Sequence, residues 1–333
     1  MRRIGRVLGM VALVLFVAEG ALRLAPRRPK IFVELAKYLE ILTYTGAPYP
    51  MHLAGFRGEI DGVRWRTNDI GLRDRTFARA KPAGTLRVLA LGDSITLGWG
   101  VEQDEMFTKG LERLLTERRG APVEVITAAV GGWNTVHELA FVEREGLAFD
   151  PDVLLLVYVV NDNEVVTPWT EAERKTSQQR LVTMLVTNSR VGELAVGAYR
   201  WLVPPPARQP RPRELAKDPF SEADRGWMAS RAALERMQAI ADARRIAFAI
   251  VVCDVDDGPA ERATVAALER FGREHHVPVE STYHWFDGRN RVQLKLGLLD
   301  PHPTAAAHAI MAERLAEFLG RVVPGLGNSG QGS

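Results

Sequence analysis

The sequence predicts a doubly wound α/β fold, built on a parallel five-stranded sheet and preceded by an N-terminal anchor and an arm. Two observations predict the sheet and its helices. Five short apolar runs recur after position 86, and stretches with helical apolar spacing lie between them. A third observation, a basic and then apolar start to the chain, predicts the anchor.

The five predicted strands are apolar on both faces, which is typical of parallel strands that helices cover from each side. They span residues 86–91, 123–128, 152–159, 247–253 and 277–281. Helical spacing is carried by three sets of residues: Phe107, Leu111, Leu114 and Leu115; Val136, Leu139 and Val142; and Ala307, Ile310, Met311, Leu315, Phe318 and Leu319. This alternation favours a doubly wound sheet.

The composition is that of a folded protein and argues against several functional classes. The chain has 333 residues, of which 46% are hydrophobic and 25% charged, which is ordinary for a folded core. A net charge of +2 gives no indication of a nucleic-acid partner. The single cysteine, Cys253, excludes an intrachain disulfide and a cysteine-rich zinc site, and its apolar neighbours predict a buried side chain.

Residues 1–24 are predicted to be a signal anchor or a signal peptide. Three arginines precede an apolar stretch over residues 7–18, and a helix continuing to Leu24 would reach the roughly 20 residues of a membrane span. We expect an uncleaved anchor rather than a cleaved signal, because Ala18-Glu19-Gly20 is a poor cleavage site. A buried helix is the third interpretation.

The first two interpretations place the body of the protein outside the cytoplasm. It would be anchored facing the periplasm or the cell surface, or secreted if the signal is cleaved. Three basic residues after the span oppose that orientation, namely Arg27, Arg28 and Lys30.

The remainder of the chain divides into an arm, a domain and a tail. Residues 31–85 are rich in turn formers and predict an extended arm with short strands packed on the main domain. The domain spans 86–323 and is interrupted at about 164–222 by an insertion containing the mobile-loop sequence "VPPPARQPRPR". Residues 324–333 are predicted to be a flexible tail.

Chemically active residues follow the predicted strands, at the edge where the carboxyl ends of parallel strands meet. Ser94 ends the first strand, Gly132 and Asn161 follow the next two, and Asp300 and His302 precede the last helix. A hydroxyl, a glycine amide, a carboxamide, a carboxylate and an imidazole are the groups that acyl transfer requires. Ser94 is therefore interpreted as a nucleophile.

Taken singly, each of these residues also has a structural explanation. Ser94 stands in a Gly-Asp-Ser turn, Gly132 suits a loop with positive φ, and Asn161 can cap the segment after it. His302 alone could be an ordinary surface histidine. Their occurrence in order at successive strand ends favours the catalytic interpretation.

These motifs resemble the SGNH (GDSL-type) hydrolase family, over about residues 86–320. The blocks are "GDSIT" with Ser94, "AAVGGWNT" with Gly132, "VVNDN" with Asn161 and "DPHPT" with His302. The upstream "NDIGLRD" looks like an arm found in membrane-anchored members of the family. The resemblance implies a flavodoxin-like three-layer sandwich, with His302 as the base and the Ser94, Gly132 and Asn161 donors as an oxyanion hole.

Two departures from the family pattern affect the site. Val159 stands where the third block usually begins with glycine, so we expect its loop to be extended, because a β-branched residue disfavours positive φ. The acid commonly lies three residues before the histidine, where this chain has Leu299. Asp300 is the available partner, and some related polysaccharide O-acetyltransferases use this Asp-x-His spacing.

The resemblance implies a serine esterase acting on small-molecule, lipid or glycan esters, O-acyl or O-acetyl in type. The alternative enzyme is an O-acyltransferase acting on an envelope glycan or lipid. If the protein is not an enzyme, the alternative is a non-catalytic envelope-binding module. No cofactor and no nucleic-acid partner are expected, and the sequence leaves the oligomeric state open. The membrane is expected as a partner through the N-terminal segment.

For the other candidate residues, the sequence predicts a structural role or leaves the role undecided. Trp99 and Trp133 adjoin the motifs and either line a pocket or pack in the core. Structural roles are expected for His275, His276 and His308. The segment "CDVDDG" resembles part of a calcium loop without its distal glutamate, so no metal site is predicted at Asp254, Asp256 and Asp257.

Overall fold

The computed structural model describes residues 9–10, 13–21, 38, 41–43, 49–163, 189, 191, 220–253, 259–297 and 300–327. The chain divides into two units. One contains Met1–Ile41 with Pro168–Leu215, and the other contains Leu42–Thr167 with Ala216–Ser333.

In the first unit, residues 13–21 are helical and expose apolar side chains, with Phe16 exposed to 77%. The Glu19 carboxylate accepts hydrogen bonds from the Ser189 hydroxyl at 3.0 Å and from the Val191 backbone N–H at 2.9 Å. Of the predicted insertion at 164–222, residues 189, 191 and 220–222 are described and the rest lie outside the described residues.

The predicted anchor over residues 1–24 is not confirmed. Among the residues that the structure describes, no helix combines the length and the apolar character needed to cross a membrane. Residues 1–8, 11–12 and 22–24 of the predicted segment lie outside the described residues.

The second unit begins with two short antiparallel ribbons in the region of the predicted arm. Strands β1 (Leu42–Thr43) and β2 (Met51–His52) form the first ribbon, and β3 (Arg57–Ile60) and β4 (Val63–Arg66) form the second. Asp61 and Gly62 join β3 to β4 with φ angles of 54° and 76°, which is the two-residue turn that suits the twist of a hairpin.

The main sheet is parallel and five-stranded. It contains β5 (Leu86–Gly92), β6 (Val123–Ala129), β7 (Val153–Tyr158), β8 (Ala247–Val252) and β9 (Val279–Ser281). The spatial order is β6-β5-β7-β8-β9, and every neighbouring pair is parallel. The order reverses direction at β5, so the carboxyl ends of β5, β6 and β7 form the edge where such sheets bind ligands.

Among the residues that the structure describes, five long helices pack around the sheet. They are α1 (Phe107–Arg119), α2 (Thr135–Arg144), α3 (Arg225–Arg244), α4 (Pro259–His275) and α5 (Ala305–Val322). Helices α1 and α5 pack together over the sheet face that carries Val88, Val125 and Leu155. Helices α2 and α3 pack together, with α2 against β5 and α3 against β8. The α/β prediction is confirmed.

The observed strands lie where the sequence predicts them, with small changes at their ends. The prediction of helices is less complete after the insertion, because α3 and α4 have no counterpart among the predicted helices. Residues 324–327, predicted as the start of a flexible tail, continue the packed domain, because Leu326 is fully buried in the core beside α5.

Candidate active site

Ser94, His302 and Asp300 form a continuous hydrogen-bonded series. The Ser94 hydroxyl oxygen lies 2.8 Å from His302 Nε2, and His302 Nδ1 lies 2.6 Å from Asp300 Oδ1. Both distances fall in the range of about 2.6–3.2 Å within which a side chain can exchange a proton with its partner. The structure thus brings together three residues that the sequence separates by as much as 208 positions.

The sheet register places the loops that carry these groups side by side. Ser94 begins the turn after β5, and the last residue of β5, Gly92, pairs with Ala129 at the end of β6. On the other side of β5, Leu91 pairs with Leu156 of β7. The loops after β6 and β7, which contain Gly132 and Asn161, therefore leave the sheet next to Ser94.

Backbone hydrogen bonds hold the chain reversal that presents Asp300 and His302. The Thr304 N–H donates to the Leu294 carbonyl, and the Leu296 N–H donates to the His302 carbonyl, both at 2.9 Å. Asp300 Oδ1 also accepts from the His302 backbone N–H at 3.1 Å. The Asp-x-His spacing therefore lets one carboxylate oxygen fix both the backbone and the ring of the histidine.

The environment keeps Asp300 ionised. Partial burial opposes its charge, yet hydrogen bonds from the His302 ring and backbone and from the Trp99 side chain, with the nearby His302 charge, hold the pKa of Asp300 below its usual range. An ionised Asp300 stabilises the His302 tautomer with the proton on Nδ1. The lone pair on Nε2 then faces the Ser94 hydroxyl.

A buried aspartate, Asp93, links Ser94 to Asn161. Its Oδ2 lies 3.4 Å from the Ser94 hydroxyl oxygen and accepts from the Asn161 amide at 3.3 Å, while its Oδ1 accepts from the Ile95 N–H at 3.0 Å. Burial raises the pKa of Asp93, and the Ile95 N–H, the His302 charge and the two side-chain donors partly offset that effect. Asp93 thus brings the Asn161 amide to the same side as the hydroxyl.

Gly132 lies on the exposed turn after β6 with a φ of 82°, a conformation that strains residues with a side chain. A Cβ atom there would meet no other atom within 4 Å, so backbone conformation and not crowding favours glycine.

The adjoining Trp133 is fully buried, and its indole N–H donates to the Pro50 carbonyl at 2.8 Å. Trp133 is therefore a core residue.

Val159 is accommodated without positive φ, as predicted for a β-branched residue at that position. Its N–H donates to Asp162 Oδ2 at 2.6 Å, and the Asp162 N–H returns a hydrogen bond to the Val159 carbonyl at 3.0 Å. This closed turn sets the position of Asn161 between them.

Two further buried carboxyl groups lie behind that turn. Asp162 Oδ1 accepts from the Thr135 hydroxyl at 3.0 Å, and Glu138 of α2 lies against Asp162 with no hydrogen-bond donor within reach of either of its own oxygens. Burial raises the pKa of both groups well above their usual values. The pair therefore retains protons to a higher pH than the same carboxyl groups in solution.

Comparison of the chain with protein families gives one match that covers most of it. Residues 90–310 match the GDSL-like lipase/acylhydrolase family. The chain belongs to this family. It is therefore a hydrolase acting on ester bonds, as the resemblance in its motifs implies. No curated protein matches the chain in sequence.

Several solved structures resemble this GDSL-like hydrolase in fold, at low sequence identity. TesA is 14% identical with a TM-score of 0.46, and the match covers 71% of this chain and 99% of that one. The acetylxylan esterase Axe2 from Geobacillus stearothermophilus is 13% identical with a TM-score of 0.45, covering 71% and 94%. A two-domain esterase active on acetylated mannans is 18% identical with a TM-score of 0.41, covering 72% and 50%.

Three residues of this GDSL-like hydrolase's site are not assigned a role from the sequence. Asp93 and Glu138 are acidic residues that the fold buries completely or nearly so, and for Trp99 the sequence predicts either a pocket or the core. Trp99 is 8% exposed, and its ring centroid lies 6.0 Å from that of His302. Asp93 lies between the glycine and the serine of "GDSIT", and this position is the feature of the sequence that could have identified it as part of the site.

The remaining candidate residues lie away from this cluster or outside the described residues. Cys253 and His308 are buried, as expected, and the His308 ring accepts from the Phe107 N–H at 3.2 Å. Asp254, Asp256 and Asp257 fall in residues 254–258, which lie outside the described residues. Within the described part of the chain, no group of His, Cys, Asp or Glu side chains is arranged to hold a metal ion.

Proposed function

We propose that this family member is a serine esterase in which Ser94 attacks the ester carbonyl, His302 is the general base and Asp300 orients the imidazole. The observation that carries the proposal is the unbroken hydrogen-bonded series, 2.8 Å from Ser94 to His302 and 2.6 Å from His302 to Asp300. This arrangement is the one in which a neutral imidazole can remove a hydroxyl proton while a carboxylate stabilises the resulting cation.

In the first half of the reaction the Ser94 oxygen forms a bond to the carbonyl carbon as its proton moves to His302 Nε2. The carbonyl electrons move to the oxygen, which becomes an oxyanion. When the oxyanion collapses, the bond to the leaving alcohol breaks, and the imidazolium returns its proton to the departing oxygen. The product is an acyl-Ser94 intermediate with a neutral His302.

In the second half, His302 takes a proton from water as that water attacks the acyl-serine. Collapse releases the carboxylic acid and returns the proton to Ser94. If an acceptor hydroxyl replaces water, the same steps transfer the acyl group, which is why the acyltransferase alternative shares every catalytic residue.

The oxyanion is assigned three donors, the backbone N–H groups of Ser94 and Gly132 and the side-chain amide of Asn161. Support comes from the register that brings the loops after β5, β6 and β7 together, and from Asp93, which holds one N–H of the Asn161 amide. The second N–H of that amide is then available to the oxyanion. One such donor typically lowers the barrier by about 3–4 kcal/mol.

The substrates are proposed to be O-acyl esters, with O-acetyl groups on a small molecule, lipid or glycan as the first candidates. The test compares hydrolysis of p-nitrophenyl acetate and p-nitrophenyl octanoate by the wild type and by Ser94→Ala. We expect hydrolysis that the substitution abolishes, and the preferred ester gives the acyl length. Equal rates for the two proteins would overturn the assignment of Ser94.

The same assay with an added acceptor alcohol separates the two catalytic alternatives. An esterase releases acetate and nitrophenol in equal amounts, whereas an acyltransferase releases less acetate as the acceptor ester accumulates. We propose the esterase, and predominant transfer at low acceptor concentration would contradict it.

We also propose that the protein is held at a membrane by its N-terminal segment, with the catalytic unit outside the cytoplasm. The proposal is supported by the basic start, by the apolar residues 7–18 and by the exposed apolar side chains of residues 13–17. The full chain should remain with membranes after alkaline carbonate extraction and retain its N-terminal methionine. Recovery of the protein in the carbonate supernatant would contradict the anchor.

A further inference from the structure

A fully buried arginine of the arm, Arg73, binds the loop that follows Ser94. We call residues 93–101 the Ser94 loop. The Arg73 guanidinium donates to the Leu97 carbonyl at 3.1 Å, the Gly98 carbonyl at 2.5 Å and the Val101 carbonyl at 2.7 Å. One side chain thus satisfies three carbonyls of a loop that belongs to no helix or strand.

The Ser94 loop needs such a partner because it folds back tightly on itself. The Trp99 N–H donates to the Ser94 carbonyl at 3.0 Å, and Gly98 and Gly100 both have a φ of 71°. In that conformation several carbonyls point away from the loop and toward the arm. Buried carbonyls require donors, and the rigid, planar guanidinium can supply several at once in a fixed geometry.

The loop also brings Trp99 beside His302 and Asp300. The Trp99 ring lies 6.0 Å from the His302 ring at an interplanar angle of 37°. The Trp99 side chain is also among the groups that lower the pKa of Asp300. The indole therefore limits the movement of the imidazole that Asp300 orients.

The arm supports Trp99 from behind through a second aromatic ring. Trp65 of β4 meets Trp99 edge-on, with ring centroids 6.2 Å apart at 74°, and is 1% exposed. The Arg73 guanidinium carbon lies 4.4 Å from the centroid of the Trp65 ring, within the range of a cation–π contact. Arg73 therefore contacts both the loop that carries Trp99 and the ring that packs against it.

We propose that Arg73 and Trp99 are positioning residues for catalysis: the arm fixes the Ser94 loop through Arg73, and the loop in turn holds the Trp99 ring beside the His302 imidazole. The proposal rests on the proposed function, since it assigns a role in holding the Ser94, His302 and Asp300 series. Under this proposal the arm contributes to catalysis and is not only a structural element. Neither residue touches the substrate in this scheme.

A positioning role predicts a loss in kcat with little change in KM. Trp99→Phe replaces the indole with a smaller ring that fills less of the space beside His302, and Arg73→Lys keeps the charge but cannot reach three carbonyls in the same geometry. We expect each variant to lower kcat for p-nitrophenyl acetate by about tenfold to a hundredfold, because small displacements of reacting groups have effects of this size. KM should change by less than about threefold, since groups that bind the ground state are intact.

Two matched variants control for the cost of altering a buried side chain. Arg87 is as fully buried as Arg73, but it lies at the amino end of β5 and binds Glu124 and the Phe149 carbonyl. Trp227 of α3 is 4% exposed and packs on Phe220. Arg87→Lys and Trp227→Phe are expected to lower Tm while leaving kcat per titrated active site within about twofold of wild type.

The outcomes separate the positioning role from the proposed function. Retention of wild-type kcat by folded Trp99→Phe, or equal losses of kcat in the control variants, would overturn the positioning role. If Arg73→Lys does not fold, Trp99→Phe alone decides the question. Failure of the proposed function would appear instead as full activity in Ser94→Ala, whereas failure of the positioning role leaves Ser94→Ala inactive.

Discussion

Glu138→Gln is predicted to stabilise the fold relative to the wild type by an amount that grows with pH. Glu138 is fully buried in α2, and no donor reaches either of its carboxyl oxygens. Burial is the main cause that raises the pKa of Glu138 well above 4.5, and the nearby carboxyl groups of Asp162 and Asp93 raise it further. The folded protein therefore keeps a proton that the unfolded chain releases above about pH 4.5.

The size of the effect follows from proton linkage. Over the range in which the folded state holds one proton more than the unfolded state, the free energy of unfolding falls by about 1.4 kcal/mol for each unit of pH. While the folded state retains this proton, the stability of the wild type falls with this slope as the pH rises above about 4.5. Glutamine has the shape of the protonated acid and does not ionise. The stability of Glu138→Gln minus that of the wild type should therefore rise by about 1.4 kcal/mol for each unit of pH over which the proton is retained.

Urea unfolding followed by tryptophan fluorescence at a series of pH values measures this difference, since the chain has 7 tryptophans. Taking the difference between two proteins cancels the contributions of the titrating groups that do not interact with Glu138. Glu143→Gln is the control, because Glu143 lies on the same helix with its side chain 41% exposed and paired with Arg236. A difference for Glu138→Gln that does not change with pH would refute the argument that Glu138 is buried as an acid.

The remaining predictions concern the rate of ester hydrolysis. His302→Ala should lower kcat by roughly a thousandfold or more while leaving Tm nearly unchanged, and wild-type activity would refute its role as base. Asp300→Ala should lose less activity, because Asp300 orients the imidazole without accepting the proton; a loss larger than that of His302→Ala would contradict this order. Asn161→Ala should lower kcat by roughly a hundredfold or more with little change in KM. A lowered Tm with unchanged kcat would instead show that Asn161 only caps its turn.

The sheet could be predicted from sequence because its signal is local. A strand buried on both faces must be apolar at nearly every position, and β7 has the sequence "VLLLVY". Helix α3 escaped prediction because its buried face is built partly from small residues, among them Gly226, Ser230 and Ala233. Residues of that size carry little of the apolar periodicity on which the prediction of an amphipathic helix depends.

The candidate site could be predicted as a set of residues but not as a set of contacts. Ser94, Asn161 and His302 were found because each follows or precedes a predicted element in a recognisable motif. Arg73 and Glu138 were missed, since charged side chains are almost always exposed and nothing in their neighbouring residues signals burial. Their partners come from loops and strands distant in sequence, so only the folded chain reveals them.

Covalent labelling of Ser94 tests the central claim most directly. A fluorophosphonate reacts with a serine whose proton is removed by a base and whose developing oxyanion meets donors, and it makes no demand on the identity of the natural substrate. We predict that the wild type is labelled, that the mass increase maps to Ser94, and that Ser94→Ala is not labelled. Labelling of Ser94→Ala to the same extent, or a folded wild type that does not react, would contradict the assignment of Ser94 as the nucleophile.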